Sequence, residues 1–425
     1  MSEIAVIGAG YVGLTTGTCL SKLGHNVTIV DIEHSRIESL REGIVPFVEP
    51  SLEELVSAGI KSGKLKFVHG SEKACKDADF IFVCLPTPSS QDGSTDLSIL
   101  ESGINQIADI AKPDSTLIIK STVPVGTASK LKDQLQRTDL AVVSNPEFLA
   151  EGSAVKDFLE PSRIVIGACR IEDAERVAEL YEKIEAPVLT SSWESAEIIK
   201  HTANAFLALK LTFVNEIATL CEKTGADIHE VTSGIGLDPR IGSNYLNPGP
   251  GWGGSCFPKD SSSLAHIARE VGFDFTLLEH TIELNQEHLS RTAKKVSEAL
   301  SDDKQTRKIA AWGLTFKAGT DDLRSSPAIE ILKKLAQSQD SISAFDPTVK
   351  GELADAPEIL VEADPYLCVK GADVLVVLTE WDEFRELDMA LVAQNMYSPI
   401  LVDTRNLFKR HEMEKLGFVY HGMGT

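Results

Sequence analysis

Apolar and polar positions alternate along the chain in blocks that predict strands and helices in turn. Residues 3–9 (EIAVIGA) form an apolar strand, residues 11–24 follow a helical pattern, and residues 25–31 (HNVTIVD) form a second strand. This order predicts a βαβ unit. Further strand-length apolar segments, with helical patterns between most of them, lie at 80–85, 116–121, 140–145 and 163–167. We therefore expect an α/β fold with a doubly wound parallel sheet covered on both faces.

The pattern changes from about Ser192 to Thr224, where one long helix is apolar on most of its faces. Such a helix must be buried on more than one side, which predicts a central spine helix that also contributes to a subunit interface. Shorter helical patterns follow at roughly 227–234, 258–271 and 275–300.

The last third of the chain repeats the first. Residues 301–307 (SDDKQTR) are polar and predict a linker. After it, four strand segments echo those of the first half in order, and Asp346 occupies the place of Asp31. We predict a second Rossmann-like parallel sheet, and domain boundaries that divide the chain into 1–191, 192–300 and 301–425.

Charge and cysteine content narrow the class of protein. The 425 residues include 41 basic and 63 acidic side chains, a formal net charge of −22, which disfavours nucleic acid or an anionic membrane as a partner. The seven cysteines are scattered without a C-x-x-C pair, which is typical of reduced thiols and argues against a disulfide framework or a zinc site. We found no apolar run of membrane-spanning length and no signal-peptide pattern, so we expect a cytoplasmic protein. From the cysteine spacing we also expect no metal site.

The first strand and helix are joined by the motif G-x-G-x-x-G at 8–13, which in this context predicts a dinucleotide site. Its glycines allow a tight turn and close contact between main chain and pyrophosphate at a helix N-terminus. Asp31 ends the second strand, where a carboxylate binds the ribose 2′-hydroxyl and repels a 2′-phosphate, so NAD is favoured over NADP. Arg36 either offers the adenosine end a cation or is a solvated surface charge. The motif residues taken as cofactor contacts are Gly8, Gly10, Tyr11, Val12 and Gly13.

Cys256, in GWGGSCFPKD (251–260), is the leading candidate nucleophile. It precedes a predicted helix and lies near Lys259, and a thiolate is favoured at a helix N-terminus beside a lysine. The alternative is a buried structural cysteine. Lys200 and Asn204 share a face of the spine helix, where they either stabilise a developing oxyanion or are satisfied across a helix interface.

Two other pairs follow strand ends. Glu147 and Glu151 lie four residues apart at a strand-to-helix junction, where they serve as general base and cofactor contact or cap a helix. Thr87 and Thr122 follow the strands at 80–85 and 116–121, and therefore either face the cofactor or are ordinary turn residues.

The chain resembles the UDP-glucose/GDP-mannose dehydrogenase family over nearly its whole length. The resemblance is carried by six motifs in family order: GAGYVG (8–13), STVPVGT (121–127), NPEFLAEGSA (145–154), KHTANAF (200–206), NPGPGWGGSCFPKD (247–260) and WGLTFKAGTDDLRSSP (312–327). It implies an N-terminal NAD-binding domain, a central helical dimerisation domain and a C-terminal UDP-sugar-binding domain. It also implies a homodimer or higher homo-oligomer with UDP-glucose as substrate.

The family reaction oxidises the sugar C6 alcohol to a carboxylate with two NAD, through a thiohemiacetal and a thioester on a cysteine. The resemblance assigns that role to Cys256. It places Lys200, Asn204 and Asp260 around the reacting oxygen and water, and gives Thr122 and Glu147 the positioning of water, with Glu147 as candidate base. Positions matching NAD contacts are Glu151, Lys259 and Arg324. Positions matching sugar-nucleotide contacts are Phe148, Leu149, Glu151, Lys200, Asn204, Arg240, Tyr245, Leu246, Gly253, Phe316, Lys317 and Arg405.

Lys317 and Arg405 follow the first and last predicted strands of the second sheet, where cations face a pyrophosphate or a sugar hydroxyl, or are surface charges. The resemblance also assigns Arg240 to the nucleotide sugar of the neighbouring subunit. Ala150 and the run Ser261-Ser262-Ser263 depart from the residues that many family members carry, which leaves the sugar preference and the local salt-bridge pattern open.

Three alternatives remain. GDP-mannose or another nucleotide sugar, such as UDP-N-acetylmannosamine, could replace UDP-glucose. A hydroxyacid dehydrogenase of the 6-phosphogluconate type would make one oxidation and need no cysteine. A non-enzymatic NAD sensor would use Cys256 as a redox switch.

Overall fold

The computed structural model describes residues 1–90, 92–300, 307–338 and 340–425. Its contacts divide the chain into two compact units, Met1–Ala203 with Ser262–Asp274, and Asn204–Ser261 with Phe275–Thr425. The three-domain division with boundaries after residues 191 and 300 stays a prediction. The predicted linker 301–307 lies outside the described residues, apart from Arg307.

Within the described residues, eight strands form the sheet of the first unit, in the order β3-β2-β1-β4-β5-β6-β7-β8. They are β1 (Glu3–Ile7), β2 (Asn26–Asp31), β3 (Leu65–His69), β4 (Phe80–Val83), β5 (Thr116–Ile119), β6 (Ala141–Ser144), β7 (Ile164–Ala168) and β8 (Val188–Ser191). The predicted doubly wound sheet is confirmed, with one difference: β6 and β7 pair antiparallel. The segment between β6 and β7 starts and finishes at the same end of the strands, so it is not a crossover connection.

Helices cover both faces of this sheet because alternate strand residues point to opposite sides. In β1, Ile4 and Val6 belong to one buried apolar cluster, whereas Ala5 and Ile7 belong to another. The helices are α1 (Tyr11–Leu23), α2 (His34–Arg41), α3 (Leu52–Lys61), α4 (Glu72–Asp77), α5 (Ser98–Ile110), α6 (Thr127–Gln134), α7 (Ala154–Leu159) and α8 (Ile171–Ala178), with a 3₁₀ turn at Glu179–Tyr181. Gly24 ends α1 with φ 110°, a left-handed conformation that glycine adopts without strain.

The predicted spine helix is present as α9 (Trp193–Thr224). It is followed by α10 (Ile228–Gly236), α11 (Phe257–Glu270) and α12 (Thr276–Ala299). In the part of the chain that the structure describes, α9 is the one helix with the length and apolar composition of a membrane span, at a mean hydropathy of 1.2. The core helix of a globular protein has the same signature, and Ala208, Val214 and Ala218 of α9 are buried.

The second unit contains the predicted second sheet, whose six described strands are all parallel, in the order β11-β10-β9-β12-β13-β14. They are β9 (Lys308–Trp312), β10 (Ser341–Phe345), β11 (Ile359–Val361), β12 (Val374–Val377), β13 (Ile400–Asp403) and β14 (Val419–Gly422). The helices are α13 (Pro327–Ala336), α14 (Pro365–Val369), α15 (Met389–Asn395) and α16 (Arg410–Lys415), with a 3₁₀ turn at Asp382–Glu386.

The internal repeat is visible in hydrogen bonds as well as in strand order. Asp31 accepts a hydrogen bond from the main-chain N–H of Ala9 at 2.8 Å, and Asp346 accepts one from Leu314 at 2.8 Å. Asp346 also accepts the indole N–H of Trp381 at 3.2 Å, so its carboxylate is engaged within its own unit. The strands of the two repeats follow the same spatial order, but the glycine-rich motif occurs in the first repeat and not in the second.

Candidate active site

The glycine-rich turn has the geometry of a pyrophosphate cradle. Gly8 has φ 100°, and a Cβ on Gly13 would lie 1.9 Å from the carbonyl oxygen of Gly8, so neither position tolerates a side chain. A Cβ on Gly10 would meet nothing within 4 Å, and α1 begins at the next residue, Tyr11. The space beside Gly10 at the N-terminus of α1 is therefore open, and a helix N-terminus is where a pyrophosphate binds.

Asp31 lies at the end of β2 beside this turn. Its Oδ2 atom accepts the main-chain N–H of Ala9 and lies 3.2 Å from Nη1 of Arg36. Arg36 also pairs with Glu33 at 2.8 Å, so it neutralises two acidic side chains rather than standing free in solvent. The carboxylate that we expect to select the ribose 2′-hydroxyl is thus held in place on one side by the main chain.

Glu49 is a member of this region that the sequence analysis missed. The hydroxyl of Tyr11 donates to the Glu49 carboxylate, and the main-chain N–H of Gly152 donates to the same carboxylate at 2.7 Å. Burial together with Glu49 raises the pKa of Tyr11. The hydroxyl of Tyr11 therefore joins the start of α1 to the NPEFLAEG segment.

Glu147 and Lys200 form a buried ion pair, with 2.9 Å between Oε1 and Nζ. The side chains are 7% and 2% exposed, so the pair is shielded from water and each partner compensates the other. The Lys200 ammonium also lies 5.5 Å from the centroid of the Phe148 ring, and the Arg163 guanidinium lies 3.7 Å from it.

Helix α9 also binds the STVPVGT segment. The buried Glu197 carboxylate accepts the main-chain N–H groups of Gly126 at 2.6 Å and Ala128 at 2.9 Å, and a ring nitrogen of His201 bonds the carbonyl of Val123 at 2.9 Å. Burial raises the pKa of Glu197 to about 7, although the main-chain donors oppose that effect. Thr122, in the same STVPVGT segment, accepts a hydrogen bond at its main-chain carbonyl from the hydroxyl of Thr87 at 2.9 Å, so the two predicted threonines are in contact.

A cavity of about 240 Å³ opens beside the ion pair. Its lining includes Lys120, Asn145, Glu147, Arg163 and Tyr181. Lys120 and Asn145 are not among the site residues predicted from the sequence, although Lys120 has a usable signal, since it is a lysine directly after an apolar strand.

In the second unit, Cys256 directly precedes α11, and its carbonyl accepts the main-chain N–H of Asp260 at 2.8 Å. The thiol is partly exposed and lies 3.6 Å from the hydroxyl of Ser255. Asp260 is buried, and its two oxygens accept from Asn204 at 2.6 Å and from Lys259 at 2.5 Å. The structure therefore brings three predicted polar residues together at the start of the helix that Cys256 precedes.

The Gly-Pro loop before Cys256 packs against the loops of the second sheet. A Cβ on Gly253 would lie 2.0 Å from the carbonyl oxygen of Ser325, and one on Gly254 would lie 2.8 Å from the ring of Phe316. The Arg405 guanidinium donates to main-chain carbonyls, including that of Phe316, and pairs with Glu380 at 2.9 Å. Gly253, Phe316 and Arg405, three predicted sugar-nucleotide contacts, thus lie in one region.

Four other predicted contacts, all in the second unit, range from buried to highly exposed. Leu246 is buried, and the Tyr245 ring, at φ 63°, lies 6.3 Å from the ring of Phe257. Arg240 and Arg324 are highly exposed, and each pairs with an aspartate two residues earlier, at 2.6 and 2.7 Å. Ion pairs at such exposed positions contribute little to the stability of the chain.

Models of three domains of one family match the chain in sequence. They are the UDP-glucose/GDP-mannose dehydrogenase family NAD binding domain at residues 2–185, its central domain at 194–287 and its UDP binding domain at 310–410. The chain belongs to this family. As a family member with the NAD binding domain, it is an NAD-dependent oxidoreductase.

Full-length relatives of this family member are found in bacteria and archaea. The chain is 41% identical to a UDP-glucose 6-dehydrogenase of Rhizobium meliloti, covering 99% of each chain, and 39% identical to the UDP-glucose 6-dehydrogenase TuaD of Bacillus subtilis, covering 100% of this chain and 93% of TuaD. A solved UDP-glucose dehydrogenase from Pyrobaculum islandicum superimposes with a TM-score of 0.89 at 31% identity, covering 100% of this chain and 98% of that one.

Proposed function

We propose that the chain oxidises the C6 alcohol of UDP-glucose to the carboxylate of UDP-glucuronate, with two NAD consumed per product. The observation that carries the proposal is the position of Cys256 directly before α11, with the buried carboxylate of Asp260 held by Asn204 and Lys259. The relatives with the printed name UDP-glucose 6-dehydrogenase support the choice of sugar.

The thiol makes the second oxidation possible. The aldehyde from the first step accepts the sulfur of Cys256 at C6, a C–S bond forms, and the thiol proton moves to the oxygen. The thiohemiacetal keeps one hydrogen on C6, and its loss as a hydride, together with release of the hydroxyl proton, leaves a thioester. NAD supplies the hydride acceptor in both oxidations. Water then adds to the acyl carbon, the C–S bond breaks, and the carboxylate leaves with the cysteine restored.

We assign the polar residues to the charges that these steps create. Lys200, Asn204 and Asp260 stabilise the oxygen on C6 and the attacking water. Thr122 and Glu147 position that water, and Glu147 accepts its proton. The buried ion pair of Glu147 with Lys200 supports this role, because a base that is held rigidly needs little reorganisation in the transition state.

The same proposal assigns ligand binding to the predicted domains. Residues 1–191 bind NAD through the glycine-rich turn and Asp31, with Arg36, Thr87, Thr122 and Glu151 as further contacts. Two residues outside this range, Lys259 and Arg324, complete the proposed NAD contacts. Residues 301–425 bind the nucleotide sugar through Phe316, Lys317 and Arg405. The other proposed contacts to the nucleotide sugar are Phe148, Leu149, Glu151, Lys200, Asn204, Arg240, Tyr245, Leu246 and Gly253.

Initial rates with UDP-glucose, GDP-mannose and UDP-N-acetylmannosamine test the substrate. We expect UDP-glucose to turn over fastest, with two NADH formed per acid. Faster turnover of either other sugar refutes the choice of substrate, and one NADH per product refutes the thioester route.

We further propose that the protein is a homodimer or higher homo-oligomer, with α9 in the interface of residues 192–300. Phe206, Phe213 and Leu220 recur every seven residues along α9 and are 59%, 52% and 53% exposed. A seven-residue apolar repeat on an exposed helix face is suited to pairing with a second helix. Sedimentation velocity at micromolar concentration tests this proposal, and a monomer would contradict it.

We place the activity in the cytoplasm. All seven cysteines lie in the described ranges and none of them forms a disulfide there, which is compatible with a reducing compartment. Cell fractionation with an antibody against the chain tests the location, and recovery in a membrane or exported fraction would refute it.

A further inference from the structure

Lys120 is a buried lysine for which the proposed function has no role. It directly follows β5, it is 5% exposed, and it lines the same cavity as Glu147. In the described part of the chain its ammonium donates one hydrogen bond, to Oδ1 of Asn145 at 3.0 Å. Burying a charge costs free energy, so packing alone does not explain a lysine at position 120.

Lys120 and Asn145 connect the ends of two neighbouring strands. Asn145 directly follows β6, and its main-chain N–H donates to the carbonyl of Ile119, at the end of β5, at 2.9 Å. The side-chain bond between Lys120 and Asn145 is a second link between the same two strand ends. Two residues after Lys120 comes Thr122, and two residues after Asn145 comes Glu147. The link therefore lies immediately before both residues that we assign to water.

Asn145 is held from three directions. The hydroxyl of Tyr181 donates to the same Oδ1 atom at 2.6 Å, and the side-chain amide of Asn145 donates to the carbonyl of Val165 at 2.8 Å. Asn145 and Tyr181 are 1% and 4% exposed. Because both lone pairs of Oδ1 are used and a side-chain N–H is bonded, the amide has little freedom to move.

The charge of Lys120 also faces the proposed base. Groups that act electrostatically on the ammonium are Cys84, Glu147 and Lys200, and the Tyr181 ring centroid lies 6.0 Å from it. Burial lowers the pKa of Lys120 to about 8, with Cys84 and Glu147 opposing the decrease. The carboxylate of Glu147 thus has a second cation near its ion pair with Lys200.

We propose that Lys120 is a positioning residue for thioester hydrolysis, which through Asn145 and Tyr181 fixes Glu147 relative to Thr122. The inference rests on the proposed function, because it assumes that Glu147 and Thr122 act on the hydrolytic water. It predicts that loss of Lys120 impairs hydrolysis more than either hydride transfer.

The test compares Lys120→Met, Tyr181→Phe and the control Lys130→Met. Lys130 is an exposed lysine of α6 that pairs with Glu101. Each variant is mixed with UDP-glucose and NAD and quenched in acid, and the mass of the intact protein is measured by mass spectrometry. NADH formation is followed separately by stopped-flow spectroscopy. A displaced base costs on the order of 100-fold in the step it serves. In Lys120→Met we therefore expect hydrolysis to fall by roughly 10- to 100-fold, so that an acyl adduct accumulates on Cys256 after an NADH burst.

Tyr181→Phe removes one hydroxyl, so it should accumulate less adduct in the same direction, and it remains informative if Lys120→Met folds poorly. Lys130→Met should match the wild type. Glu147→Gln is the reference for blocked hydrolysis. If Glu147→Gln accumulates adduct and neither Lys120→Met nor Tyr181→Phe does, the inference is overturned and the proposed function stands. If no variant accumulates adduct and Cys256→Ser still forms acid, both are overturned.

Discussion

Replacing Glu197 by glutamine tests whether a buried carboxylate on α9 titrates near neutral pH. Glu197 is 2% exposed and accepts main-chain N–H groups from Gly126 and Ala128. Burial disfavours its charged form, whereas these donors and the N-terminus of α6 favour it. Because burial prevails, the pKa of Glu197 is raised from 4.5 to about 7.

The magnitude follows from the shift. A difference of about 2.5 pKa units corresponds to roughly 3 kcal/mol at 1.36 kcal/mol per unit. The folded state holds the proton more tightly than the unfolded chain, so the stabilisation is complete below about pH 4.5 and is lost as the pH rises through 7. The free energy of unfolding of the wild type should therefore fall with rising pH relative to Glu197→Gln, which has no carboxyl group to titrate.

Urea denaturation of both proteins, followed by circular dichroism between pH 5.5 and 8, measures this difference. The lower limit is set by the isoelectric point near 4.9, where solubility is lowest. From pH 5.5 to 8 the difference in unfolding free energy should change by about 2 kcal/mol. Glu175→Gln, at an exposed position on α8, is the control and should change by less than about 0.5 kcal/mol.

A difference between wild type and Glu197→Gln that stays constant with pH would refute the reasoning. It would mean that the amide donors of Gly126 and Ala128 outweigh burial and that the carboxylate stays ionised throughout. The STVPVGT segment would then be bound by a permanent anion rather than by a group that titrates.

Two further substitutions test the binding sites. Asp31→Ala should raise the KM for NAD by about 10- to 100-fold, since a hydrogen bond to a charged group contributes about 1.5–3 kcal/mol, and it should also reduce discrimination against NADP. Steady-state kinetics with both cofactors measure the two effects, and an unchanged preference for NAD would contradict the proposed role of Asp31. Gly253→Ala places a Cβ 2.0 Å from the carbonyl oxygen of Ser325 and should raise the KM for UDP-glucose at least about tenfold with NAD binding intact. Gly234→Ala, whose Cβ meets nothing within 4 Å, is the control, and equal KM values in the two variants would refute the assignment.

Much of the fold was predictable because the buried parallel strands are short apolar runs separated by helical periodicity. The internal repeat was predictable for the same reason, and the equivalent bonds of Asp31 and Asp346 confirm that the two halves share a plan. The edge strands β3, β8, β11 and β14 were missed. Edge strands pair on one side and tolerate polar or exposed residues, as Val188–Ser191 shows, so their sequences lack the continuous apolar pattern.

The site was predictable where a motif marks it and not where distant segments meet. Lys200 could be identified as polar on an apolar helix, but its partner Glu147 lies 53 residues away, and no periodicity connects them. Glu49 contacts Gly152 across 103 residues for the same reason. Glu197 and His201 had a usable signal, since they lie on α9 at helical spacing from Lys200 and Asn204.

The account depends most on the covalent role of Cys256, and trapping the acyl enzyme tests it directly. Wild type and Cys256→Ser are incubated with UDP-glucose and NAD, quenched in acid, digested with trypsin and analysed by mass spectrometry. We expect the peptide containing Cys256 to carry the sugar nucleotide in a fraction of the wild-type molecules, since hydrolysis keeps removing the adduct, and Cys256→Ser to form no acid while it still binds NAD. Acid formation by Cys256→Ser at the wild-type rate would contradict the account.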